Sequence, residues 1–119
     1  MRFTGITLAA LLLLTSCGNS DNGPSYDSAN AVAKAAGCTN AKASPAGEVT
    51  LFATQEVQCQ AGGFTIVDWF KDGDSLASFK RASKGAGYRI LYGPNWAISC
   101  VDAHAGCAAI EKRIGGTLE

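Results

Sequence analysis

Five cysteines, at positions 17, 38, 59, 100 and 107 of a 119-residue chain, restrict the fold more than any other feature, and the first stands apart from the rest. Cys17 closes an apolar run, Ile6 to Leu14, that follows a short basic start at Arg2. A basic start, an apolar middle and small residues before a cut are the parts of an export signal. The run is too short to span a bilayer, which takes about 20 apolar residues, so residues 1–16 are expected to be removed. The other four cysteines are an even number in an exported chain, where disulfides persist. Of the three pairings that four cysteines allow, Cys38 with Cys59 and Cys100 with Cys107 is favoured, because each closes a local loop between expected elements. Such links typically contribute about 2–4 kcal/mol, a large share of the stability of a domain of about a hundred residues.

Leu14-Thr15-Ser16-Cys17 resembles a bacterial lipobox, the recognition site of the lipoprotein signal peptidase. The resemblance implies that Cys17 becomes the first residue of the mature chain and carries diacylglycerol, with palmitate-type acyl chains. At about 0.8 kcal/mol per buried CH₂, one chain anchors weakly and two or three anchor almost permanently. From Gly18 to Ser25 the sequence is polar, with no apolar residue suited to a core. Residues 17–25 are therefore read as the lipidated cysteine and a flexible tether with a reach on the order of 15 Å, and residues 26–119 as one domain. Ten basic and ten acidic residues cancel. Removal of Arg2 leaves a slightly acidic chain, without the basic field that nucleic-acid binding uses.

Within the domain, Tyr26 to Ala36 carries Ala29, Val32, Ala33 and Ala36 on one stripe, with Ser25 as N-cap and Gly37 as stop, and predicts a helix. Val49 to Ala53 reads as extended. Gln55 to Gln60 and Phe64 to Phe70 read as a hairpin through Ala61-Gly62-Gly63. Asp72 to Ser75 ends the sheet and caps a second helix whose Leu76 and Phe79 share a face. Arg89 to Tyr92 and Trp96 to Val101 form a second strand pair about Gly93-Pro94-Asn95. A last helix starts at an Asp102 cap, presents Ala103, Cys107, Ile110 and Ile114 inward, and stops at Gly115. The expected fold class is α+β, order αββ(β)αββα: an antiparallel sheet with helices packed on one face and two disulfides.

Few residues carry chemistry. Cys100, His104 and Cys107 stand at i, i+4 and i+7, a metal-ligand set if one helix ran through all three. Strand spacing of Trp96, Ile98 and Cys100 argues instead for a disulfide, with His104 a neutral histidine in the first turn, where the helix dipole disfavours imidazolium. Asp72-Gly73-Asp74 opens like a calcium loop, but Ala77 falls where that loop needs glycine and Ser83 where it needs glutamate. There is no Cys-x-x-Cys, no Gly-x-Ser-x-Gly and no glycine-rich phosphate loop. No catalytic residue, metal ligand or cofactor is assigned. Phe64, Trp69, Tyr88, Tyr92 and Trp96 are first of all core candidates. Their second reading is an aromatic binding surface on the sheet face that helices leave open.

The lipobox at Cys17, Gly37-Cys38 ending the first helix, Cys59 before an apolar strand and Gly93-Pro94-Asn95-Trp96 before a helix ending in Gly115-Gly116 together resemble a group of small actinobacterial lipoproteins. That resemblance implies an extracytoplasmic location at the cell membrane and brings no catalytic residue with it. The expected role is a non-enzymatic, membrane-anchored binding or accessory module with an envelope protein partner. One alternative is a phage or prophage superinfection-exclusion lipoprotein that meets a phage protein. Another is a metal-binding envelope protein.

Overall fold

The computed structural model describes residues 23–45, 49–50, 52–87, 89–100 and 104–119. The signal segment, Cys17, the first part of the tether, Tyr88 and the Asp102 cap lie outside the described residues, as does the side chain of His104.

The first helix, α1 (Ala29–Ala35), starts later than its alanine stripe suggests. Its N-cap is Ser28, whose Oγ accepts from the Ala31 N–H at 3.1 Å, in place of Ser25. Tyr26 is engaged elsewhere. Its N–H donates to Asn95 Oδ1 at 3.1 Å, and its carbonyl accepts from Asn95 Nδ2 at 2.7 Å and Trp69 Nε1 at 2.8 Å. The helix ends as expected at Gly37. With φ +79°, this glycine lets the Cys38 N–H reach Ala33 O and the Gly37 N–H reach Lys34 O, the paired bonds of a Schellman motif.

Six antiparallel strands follow the spatial order β1-β2-β3-β5-β4-β6. They are β1 (Thr39–Ala43), β2 (Gln55–Gln60), β3 (Phe64–Trp69), β4 (Ile90–Tyr92), β5 (Trp96–Cys100) and β6 (Thr117–Leu118). The hairpin of β2 and β3 turns through residues 61–63 as read from the sequence. The described residues of Val49 to Ala53 are not in a strand: the Ala53 N–H donates to Thr50 O at 3.0 Å and closes a turn from Thr50 to Ala53. The outer strand is instead β1, whose Thr-Asn-Ala-Lys-Ala sequence is exposed throughout and has no alternation to read.

Register places Val57, Cys59, Val67, Leu91, Trp96 and Ile98 on one face of the sheet. There they form the main core with Val32 and Ala33 of α1 and with Cys107 and Ile110 of α3 (His104–Ile114). Ile90, Tyr92 and Ala97 point the other way. They form a second cluster with Phe70 and with Leu76 and Phe79 of α2 (Gly73–Gly85). The α+β class and antiparallel sheet are as expected, whereas the placement of all helices on one face is corrected. Ile90, Leu91 and Tyr92 are consecutive and all buried, so β4 has no solvent face and needs cover on both sides. The Asp72 cap of α2 stands as read, its Oδ1 accepting from the Ser75 N–H at 2.8 Å.

Both cysteine pairs form: Cys38 to Cys59 and Cys100 to Cys107. The domain begins earlier than Tyr26. Gly23 is buried against Ile114 to Gly116, and the Pro24 carbonyl accepts from Trp96 Nε1 at 2.8 Å. The last residues assigned to the tether are thus docked on the domain, fixed by buried indole hydrogen bonding that a polar sequence does not reveal.

Candidate functional site

Pairing of Gln60 with Phe64 across the hairpin brings Glu56 opposite Asp68, and the two-residue period puts both carboxyls on the face that carries α2. Both are buried: Glu56 is 5% exposed and Asp68 1%. Two carboxylates this close cannot both ionise cheaply. Burial, the hydrogen bond to Glu56 and the Glu56 charge push Asp68 up to about 9. Burial also acts to raise Glu56, but hydrogen bonds from Asp68, Thr50 and Ser44 outweigh it and hold Glu56 below the usual carboxylate range. At neutral pH the pair therefore carries one proton, on Asp68, and one charge, on Glu56.

The charge on Glu56 fastens the segment that crosses over it. Oε1 accepts from Ser44 Oγ at 2.7 Å, and Oε2 accepts from the Thr50 N–H at 3.2 Å and from Thr50 Oγ1. Gln58 Nε2 reinforces the arrangement through Ser44 Oγ at 3.1 Å. Asp68 Oδ1 has no hydrogen-bond partner. A neutral acid beside a carboxylate is the donor set of general acid catalysis, but both oxygens of Glu56 are already engaged by Ser44 and Thr50. The arrangement is suited to holding a turn in place.

That turn presents Phe52. It occupies the third position of the Thr50–Ala53 turn with φ +79° and is 41% exposed, the one exposed large hydrophobic side chain among the described residues. Positive φ at this position is normally met by glycine, because a Cβ costs about 1–2 kcal/mol there. Thr54 then rejoins the sheet, its N–H donating to Trp69 O at 2.8 Å and its Oγ1 accepting from the Lys71 N–H at 3.0 Å.

The aromatic residues read as a second-choice binding surface do not form one patch. Trp96 is fully buried and Tyr92 is 5% exposed, so neither is on a surface. Phe79 and Tyr92 pack edge to face with ring centroids 6.3 Å apart, and Lys80 Nζ lies 4.9 Å from the Tyr92 ring centre. Trp69 is half-buried on the α1 face with its indole N–H committed to Tyr26, whereas Phe64, also half-buried, is on the opposite face. Cys100 and Cys107 are bonded to one another, which removes both thiolates from the metal-ligand set with His104. Among the described residues no group of three or more His, Cys, Asp or Glu is assembled to hold a metal. A small depression lined by Arg89, Cys100, Cys107 and Leu118 lies at the far end of the sheet.

Glu56, Asp68 and Phe52 carry no motif. Glu56 and Asp68 were within reach of the sequence, since counting back from the 61–63 turn sets them opposite each other. Comparison of the chain with protein-family models, with curated proteins and with solved structures finds no match.

Proposed function

We propose that this chain is a lipid-anchored protein of the cell envelope, held at the extracytoplasmic face of the membrane through Cys17, that presents a small disulfide-linked domain as a non-enzymatic binding or accessory module. The observation that carries this reading is the division of the cysteines. Cys38, Cys59, Cys100 and Cys107 are consumed in two bridges, leaving Cys17, alone of the five, outside a bridge and directly behind Leu14-Thr15-Ser16. Two bridges fit an oxidising compartment. A thiol at the end of an apolar export-type run fits acylation. The engagement of both Glu56 oxygens by Ser44 and Thr50 favours a structural role for the Glu56 and Asp68 pair.

The test is the intact mass of the protein purified from a bacterial membrane, before and after reduction with alkylation. A mass that starts at Cys17 and includes diacylglycerol, with four thiols released only on reduction, is the expected result. A lipid-free product, or a chain that still begins at Met1, overturns it.

A further inference from the structure

Phe52 combines two unfavourable features that would each be removed by one substitution. Its ring is exposed, and its backbone sits in the left-handed region that glycine or asparagine occupies more easily. Outliers of this kind persist where a surrounding structure over-determines them, and they cluster at functional positions. The surroundings here do so. Glu56 grips Thr50 by both N–H and hydroxyl, Ala53 closes the turn and packs beside the Phe70 and Phe79 cluster, and Thr54 is locked to Trp69. The ring is therefore projected from a preorganised turn.

Its position in the fold indicates what it meets. The start of β2, the end of β3 and the start of β5 lie at one end of the sheet, because Gln55 pairs with Trp69 and Trp69 with Trp96. The turn carrying Phe52 joins the sheet at that end, through Thr54 and Trp69. The amino-terminal chain enters at the same end: Gly23 beside Gly116, Pro24 on Trp96, Tyr26 on Trp69 and Asn95. Six residue steps separate Cys17 from Gly23, a reach of about 20 Å when extended and about 14 Å as a coil. A lipid on Cys17 therefore keeps this end near the headgroups and turns the hairpin at Gly62-Gly63 away. Charged side chains at this end include the exposed Asp27, Lys71, Asp72 and Asp74 and the partly exposed Lys80 over Tyr92. Among these the signs are mixed, which gives no preference for an anionic bilayer and favours apolar insertion as the source of attraction.

We propose that Phe52 is a lipid-contact residue, which inserts its ring into the interface of a zwitterionic bilayer and sets the orientation of the anchored domain. The inference rests on the lipid-anchored reading above. To test it, the full processed chain is reconstituted in phosphatidylcholine vesicles after its intact mass is recorded, with Phe52→Trp compared against the parent. Brominated acyl chains should quench the added emission about twofold, as expected for a side chain at interfacial depth, with the buried Trp96 and the indole-bonded Trp69 unchanged. Phe52→Gly should unfold at a higher temperature than the parent, because the strain is relieved, yet lose the vesicle-dependent hydrogen-exchange protection of Thr50 to Thr54. A lipidated Phe52→Trp chain whose introduced indole is not quenched overturns the contact while leaving the anchor intact. A bare Cys17 in the mass overturns the anchor, and the contact with it.

Discussion

Glu56 and Asp68 share a single proton across β2 and β3, with Asp68 the donor and Glu56 the charge that holds Thr50. One side of this pair is satisfied and the other is not: Glu56 has its hydrogen-bond donors, while Asp68 Oδ1 is buried without any. Stability must therefore respond to pH in opposite directions at the two residues.

For Asp68 the folded pKa of about 9 lies above the 3.8 of an ordinary aspartate, so the folded state holds a proton that the unfolded chain has released. Its contribution is fully present below about pH 4 and declines as pH rises toward 9, by at most about 1.4 kcal/mol per pH unit. Glu56, with a lowered pKa, adds the reverse dependence, stability lost as pH falls through its folded value. Asp68→Asn keeps a neutral donor to Glu56 and removes the titration. Stability in urea denaturation should fall steadily from pH 5 to 9 for the parent and be flatter for the variant. Equal slopes would mean that Asp68 is ionised in the folded protein.

Replacing Glu56 by Gln leaves one acceptor oxygen where two now serve Ser44 and Thr50. Hydrogen bonds to a charged group are worth about 1.5–3 kcal/mol each, so a loss of about 2 kcal/mol is expected in chemical denaturation. The segment from Ser44 to Thr54 should become cleavable by protease before the sheet unfolds. Thr50→Val, which removes only the hydroxyl, should show the same local opening with a smaller global cost. A Glu56→Gln protein with unchanged protease resistance would remove this residue as the fastener of the turn.

The disulfides should differ in weight. Cys38 to Cys59 spans 21 positions and ties the end of α1 and the exposed edge strand β1 to β2, whereas Cys100 to Cys107 spans 7. Loop-closure entropy alone gives about 3 kcal/mol for the first and about 2 kcal/mol for the second. The paired serine variant at 38 and 59 should therefore melt lower than that at 100 and 107, and its β1 amides should exchange fastest. The opposite order in thermal unfolding would show that the edge strand holds without its staple.

Legibility in the sequence followed the strength of local chemistry. The 61–63 turn, the Asp72 cap, the Gly37 stop and the turn at Gly93 to Asn95 each depend on neighbours in the chain, and each falls where the residues place it. The edge strand β1 did not, because pairing with β2 and the Cys38 link impose an extended shape on residues of low strand preference. Short β6 is likewise made by Leu91 and Tyr92, its partners far back in the chain. The side of the sheet chosen by α2 depends on the all-buried β4, which looks like an ordinary short strand until its neighbours are known. Phe52 was hidden for the same reason: β-branched and aromatic content suggests a strand, and only the grip of Glu56 on Thr50 converts that segment into a turn.

Two glycines should respond to alanine with opposite signs. A Cβ at Gly93 would fall inside the indole of Trp96, the largest fully buried side chain, whose N–H fixes Pro24. The ring cannot yield without releasing the amino-terminal segment, so Gly93→Ala should cost about 3 kcal/mol and shift the tryptophan emission toward that of solvent-exposed indole. At Gly85, the last residue of α2, nothing lies within 4 Å of an added Cβ and the backbone is helical. Gly85→Ala should therefore stabilise by about 0.5–1 kcal/mol through the lower entropy of the unfolded chain. Thermal unfolding of both variants checks the pair. A Gly93→Ala protein as stable as the parent would show that Trp96 is loosely seated, and with it the docking of Gly23 and Pro24 that brings the amino-terminal chain to the Phe52 end of the sheet.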